Sequence, residues 1–92
     1  MFHQLNGTAT GSAVKLSPTP ARAAWMAIDC AAGAGGPIYV GGPGVNVSNG
    51  IPIAAGQERI FPPMGNINAY DLTSIFILGT VGAPYNVSYF TL

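Results

Sequence analysis

Short apolar runs alternate along this chain with clusters of glycine, proline, asparagine and serine. That spacing is typical of many brief strands joined by turns. Six strands are expected, over residues 13–16, 22–31, 37–41, 58–62, 74–79 and 85–92, with 51–53 as a further short extended piece. Only residues 21–34 are alanine-rich enough to suggest a helix. Asp29, Gly33 and the alternation between them favour a strand instead. The reading is an all-β, antiparallel, single-domain chain.

Period-two alternation assigns faces within each strand. Ile38 and Val40 oppose Tyr39, and Met26, Ile28 and Cys30 oppose Trp25, Ala27 and Asp29. In the last strand Val87, Tyr89 and Thr91 oppose Ser88, Phe90 and Leu92, and in 74–79 Ile75 and Ile77 oppose Phe76 and Leu78. A half-exposed antiparallel sheet carries apolar residues on one face and polar ones on the other. Here the second face is aromatic or small, so it is expected to meet another subunit. Edge strands lack the lysines that usually discourage pairing. Prolines 37, 52, 62, 63 and 84 stand near the strand ends instead, where they limit open-ended pairing.

Charge sharpens this picture. The chain carries three basic and three acidic side chains in 92 residues, a net charge of zero and a charged fraction of 7%. Ordinary domains are about 25% charged. A folded monomer of this mass exposes roughly 5,000 Å², so each charge serves roughly 800 Å², about one partner's share of a standard interface. Such a surface favours association. Cys30 is the single cysteine and His3 the single histidine, which excludes an internal disulfide and a structural zinc site. Oligomerisation is then the expected source of extra stability. Three scattered cations cannot supply the counterion release on which nucleic-acid affinity depends. The apolar run Ile75–Leu78 is far short of the roughly 20 residues a membrane helix needs. Residues 1–4 lack the basic start and apolar stretch of a secretory signal. Synthesis in a host cytoplasm without processing is expected, with no nucleic-acid or membrane partner.

No spacing supports catalysis. Asp29, Glu58 and Asp71 are the only carboxylates, and no flanking motif pairs them as acid and base. Glu58-Arg59 reads as solvated charge entering a strand, and Asp71 as the start of a turn. Cys30 reads as a small buried hydrophobe, and His3 as part of a mobile terminus. The glycine clusters at 33–36 and 41–44 lack the Lys-Ser/Thr of a phosphate loop and are read as tight turns. The N-x-Ser/Thr triplets at Asn6, Asn46 and Asn86 are chance matches, whereas Asn49-Gly50 reads as a turn whose residues tolerate positive φ. Trp25, Tyr39, Tyr70, Phe76, Tyr85, Tyr89 and Phe90 offer a sugar-stacking alternative, but large rings serve core and subunit contacts more simply. No cofactor, metal or enzymatic activity is expected.

The run Ile38-Tyr39-Val40-Gly41-Gly42-Pro43-Gly44-Val45, followed by Asn49-Gly50-Ile51-Pro52-Ile53-Ala54-Ala55-Gly56, resembles small virion structural proteins of tailed bacteriophages. So does the ending Ile75-Phe76-Ile77-Leu78-Gly79-Thr80-Val81-Gly82 with Val87-Ser88-Tyr89. The resemblance spans residues 22–92, with Ile53 in place of the usual Leu and an uncharged turn at 83–86. It implies a β-sandwich or jelly-roll-like barrel over 22–92, preceded by an N-terminal arm and first strand over 1–21. It also implies a place in the virion. The expected role is a capsid decoration (cement) protein, a homotrimer on the capsid outer surface that binds the major capsid protein. Trp25, Tyr39, Phe76 and Phe90 are the expected subunit contacts. Phe2 and Leu5 in the arm (1–11), with Val45 and Val47 in the 41–50 segment, are the expected capsid contacts. Two other roles stay open: a receptor- or glycan-binding module of a head fibre or tail, and a tail or neck structural subunit.

Overall fold

In the computed structural model, which describes residues 1–63, 65 and 67–91, ten strands follow one another. They are β1 (Phe2–Thr8), β2 (Val14–Lys15), β3 (Arg22–Ala23), β4 (Trp25–Cys30), β5 (Ile38–Gly41), β6 (Ile51–Ile53), β7 (Glu58–Phe61), β8 (Tyr70–Asp71), β9 (Phe76–Gly79) and β10 (Pro84–Phe90). No helix forms among the described residues. One four-stranded sheet has the order β1-β10-β4-β7 and the other β2-β9-β5-β6, with every pairing antiparallel. β3 and β8 form a separate two-stranded ribbon. Leaving that ribbon aside, the chain passes from sheet to sheet in the strand order of a jelly roll, two Greek keys folded on each other.

Alternation explains the core. Met26, Ile28 and Cys30 of β4 and Tyr85, Val87 and Tyr89 of β10 face inward from the first sheet, meeting Ile38, Val40, Ile53 and Ile77 of the second in one buried cluster. Leu16 and Leu72 join the cluster, and Ala9, Ala23, Ala34 and Ala83 complete it. The total accessible surface, 4923 Å², matches a compact monomer of this size.

Several expected boundaries change. The long strand over 22–31 is two strands, because Ala24 leaves the β3–β8 ribbon and starts the β4 ladder with its N–H bonded to the Phe90 carbonyl at 2.8 Å. The strand over 13–16 contracts to two residues, since Leu16 turns into the core and bonds Ile75 outside a regular ladder. β8 had no signal, being only two residues beside a turn. The last strand ends at Phe90, and Leu92 lies outside the described residues.

The largest correction concerns residues 1–11. Residues 2–8 are no arm: they pair in full register with β10, from Phe2↔Phe90 to Thr8↔Pro84. Polar side chains on the exposed face of an edge strand disguised the alternation. His3 is accordingly not a mobile tail residue, for its ring stacks on Tyr89 at 4.9 Å.

One turn also resolves differently from expectation. The Asn46 carboxamide accepts the backbone N–H groups of Ser48 and Asn49 at 2.8 and 3.0 Å, so Asn46 organises the turn. Gly50 has no positive φ; its role is room, since a Cβ there would stand 2.7 Å from Tyr39 Cβ and 2.8 Å from Val45 Cγ2. Asp71 does begin a turn. Hydrogen bonds from the Thr73 hydroxyl and backbone N–H hold its carboxyl below the usual range, with smaller help from Ser74 and Arg22.

Candidate functional site

Antiparallel register lays the outward side chains of the first sheet in rows. Phe2, Phe90 and Trp25 form one, Gln4, Ser88, Ala27 and Ile60 the next, and Asn6, Asn86, Asp29 and Glu58 the third. The aromatic row is continuous: ring centres lie 5.2 Å apart for Phe2–Phe90 and 5.7 Å for Trp25–Phe90, in tilted and edge-on geometry. Such contacts add about 0.5–1.5 kcal/mol each beyond burial. Even so, Phe2 and Phe90 remain 49% and 45% exposed. This is a sizeable apolar patch on a solvent-facing sheet.

Tyr39, Phe76 and Leu78 occupy the outer face of the other sheet, where Tyr39 stands opposite Leu78 and Phe76 opposite Lys15. The four expected subunit-contact residues are therefore divided, Trp25 and Phe90 on one outer face, Tyr39 and Phe76 on the other. Of the expected capsid contacts, Phe2 and Val47 are exposed. Val45 is not available, being 7% exposed and folded against Gly41 and Gly50. Leu5 faces inward and packs against the core. Alternation within β1 separates it from Phe2.

At the polar end of the first sheet, Asn6, Thr8, Asp29, Pro84 and Asn86 line an open cavity of about 560 Å³. Asp29 and Glu58 stand directly opposite each other on β4 and β7. Their shared hydrogen bond, then their like charge, raises the Glu58 pKa. A raised carboxylate pKa means that the stabilising contribution is complete below the unfolded value and is lost as pH rises through the folded one. Glu58→Gln should therefore raise the unfolding midpoint at pH 7 by a degree or so, roughly the scale of one exposed pair. Thermal melts at pH 7 and pH 3 test this: the gain should vanish at the lower pH.

Cys30 is buried, its thiol pKa raised by desolvation against a smaller opposing effect of the Ile38 backbone. Among the described residues no three His, Cys, Asp or Glu side chains gather as metal ligands, and no helix is long and apolar enough to cross a membrane.

The four sheet edges differ in how they are blocked. β2 and β6 are two and three residues long, the first bearing Lys15 and the second Pro52. β7 places Arg59 in the inward register of Ile28 and runs into Pro62-Pro63. Inward charge, lysine, proline and shortness are the usual defences against pairing. β1 has none of them: it is seven residues long, uncharged and without proline. Sequence reasoning passed over this edge because it treated the segment as an arm; the His3–Leu5–Gly7 alternation against Gln4 and Asn6 was the available signal.

No protein-family model and no curated sequence matches the chain. Among solved structures, it resembles a chain from the disulfide-linked pili of Bacillus endospore appendages, with a TM-score of 0.52 and 18% identity over 100% of this chain and 87% of that one. What that likeness establishes is the all-β fold.

Proposed function

We propose that this chain is a non-enzymatic structural subunit that works in many copies within an assembly exposed outside the cell or on a particle. The observation that carries this reading is the pair of apolar outer faces, Phe2–Phe90–Trp25 on one sheet and Tyr39–Phe76–Leu78 on the other, on a domain with six charged side chains among its 92 residues. A jelly roll normally reserves one face of each sheet for water. Here both outer faces carry rings of the kind that anchor protein interfaces.

Two forms of assembly are supported by separate observations. The motif order over residues 22–92 favours a capsid decoration protein, a closed trimer that stabilises the shell by binding the assembled lattice and not free subunits. The exposed Val47 and the turn around Asn46 would then face the major capsid protein. The fold shared with a pilus chain favours an appendage subunit. Cys30 is buried, so the contacts between such subunits would be non-covalent.

Negative-stain microscopy and sedimentation of the purified chain over a range of concentrations separate the two. Filaments formed by the chain alone support the appendage form. A small closed oligomer that raises the heat resistance of shells supports decoration. A subunit that stays single at every concentration and binds no shell overturns the structural reading.

A further inference from the structure

We infer that β1 is a self-pairing edge, through which two copies of this chain join their first sheets across a two-fold axis at Leu5. This inference builds on the structural-subunit reading and names one of its contacts.

The hydrogen-bond phase of β1 defines what the edge offers. Met1 and Thr91 exchange backbone bonds, the Thr91 N–H reaching the Met1 carbonyl at 2.9 Å, and the Ala9 N–H reaches the Ala83 carbonyl at 2.8 Å. In an antiparallel ladder such bonded positions recur every second residue. His3, Leu5 and Gly7 therefore bond to β10, and Phe2, Gln4, Asn6 and Thr8 direct their N–H and C=O groups away from the sheet. Among the described residues no strand takes them up. Their side chains are the exposed ones of β1.

The occupant that fits is a second β1. Antiparallel pairing centred on Leu5 sets Gln4 against Asn6 of the partner subunit and Phe2 against Thr8 of the partner subunit. All four outward residues then exchange bonds, and a shift by two residues leaves one of them unpaired. Gln4 and Asn6 meet as two neutral amides, and no like charges face each other because β1 has no charge.

The ends of the strand are complementary as well. Thr8 lies at the mouth of the cavity that Asn6, Asp29, Pro84 and Asn86 also line. The same register brings the partner's Phe2 to that mouth, while Phe2 of the first copy reaches the partner's cavity. One end of β1 thus carries a half-exposed ring and the other a space of about 560 Å³ for it. Because each Phe2 ring is already half covered, seating the two removes about 150–250 Å² of ring surface from water, to which the cavity walls and the paired backbones, roughly 24 Å long, add their own area. The other edges carry Lys15, Pro52 or Arg59, so β1 is where such pairing is least opposed.

Gln4→Pro tests the seam selectively. The lost N–H points away from β10, so the intramolecular ladder stays whole, as proline at a free edge allows. Sedimentation equilibrium should show dimers that this substitution weakens at least about 100-fold, with an unchanged unfolding midpoint; Phe2→Ala should weaken them by about tenfold or more. Register is read by the double variant Gln4→Cys/Asn6→Cys, which should oxidise to a covalent dimer while Gln4→Cys alone does not. The crosslink remains decisive even if Gln4→Pro impairs folding. Assemblies that survive Gln4→Pro, or a double variant that fails to crosslink, overturn the β1 seam and leave the structural-subunit reading standing. A dimer that crosslinks in register but never enters a larger assembly supports the seam and counts against that wider reading.

Discussion

Ile77→Ala should destabilise this domain by about 3–4 kcal/mol and lower its midpoint by roughly 12–32 °C. Ile77 is fully buried at the centre of β9, with β2 on one side and β5 on the other. Its inward neighbours, Val40 across the ladder and Met26, Ile28 and Val87 in the facing sheet, belong to the same cluster. They are held by strands on both sides and cannot close over the space left by the lost carbons. The lost transfer energy is therefore joined by a cavity term. A domain of this length has roughly 5–14 kcal/mol in total, so a single truncation removes a large share. Urea titration with an unchanged slope and a lower midpoint is the expected result. A loss below about 1 kcal/mol would mean that the sheets do not face each other through Ile77.

Gly79→Val should cost about 3 kcal/mol, against what strand propensity suggests. Glycine is a poor strand residue and valine a good one, so the sequence alone recommends this substitution. Gly79, however, stands opposite Ile38 on the inward face of β9. A Cβ there would lie 2.9 Å from Ile38 Cγ2 and 3.1 Å from Ala9 Cβ. Both neighbours are buried, and each offers a methyl group close to its own backbone instead of a flexible tip. Overpacking of this kind costs about 1–3 kcal/mol even for small additions. Gly42→Ala is the matched control, since a Cβ at Gly42 meets nothing within 4 Å. Melts of the two variants side by side should differ by more than about 10 °C, and similar midpoints would contradict the close approach of β5 and β9.

Much of the fold was legible because the inward positions obey strict alternation. Ile38 and Val40 against Tyr39, and Val87 and Tyr89 against Ser88 and Phe90, fall on the faces that periodicity assigns to them. The site was legible only in part. Aromatic outer faces could be read from β4, β5, β9 and β10, but not that Trp25 and Phe90 share one surface while Tyr39 and Phe76 share the other. Register, which brings distant strands side by side, is a tertiary property. Val45 shows the same limit at short range. An apolar residue in a turn-rich segment reads as exposed until the turn folds it against Gly41 and Gly50.

By itself, the order of residues determined a chain of short antiparallel strands with scarce charge. These follow from local rules: side-chain alternation, turn chemistry and the number of ionisable residues present. Only the tertiary structure decided that residues 2–8 are an edge strand, that β1 lacks the protection the other edges have, and that an open cavity lies at one end of it. That β1 is an edge could not be read from its own residues, which lack the usual edge defences, because being at the edge depends on which neighbours are absent, and that is decided when the sheets assemble.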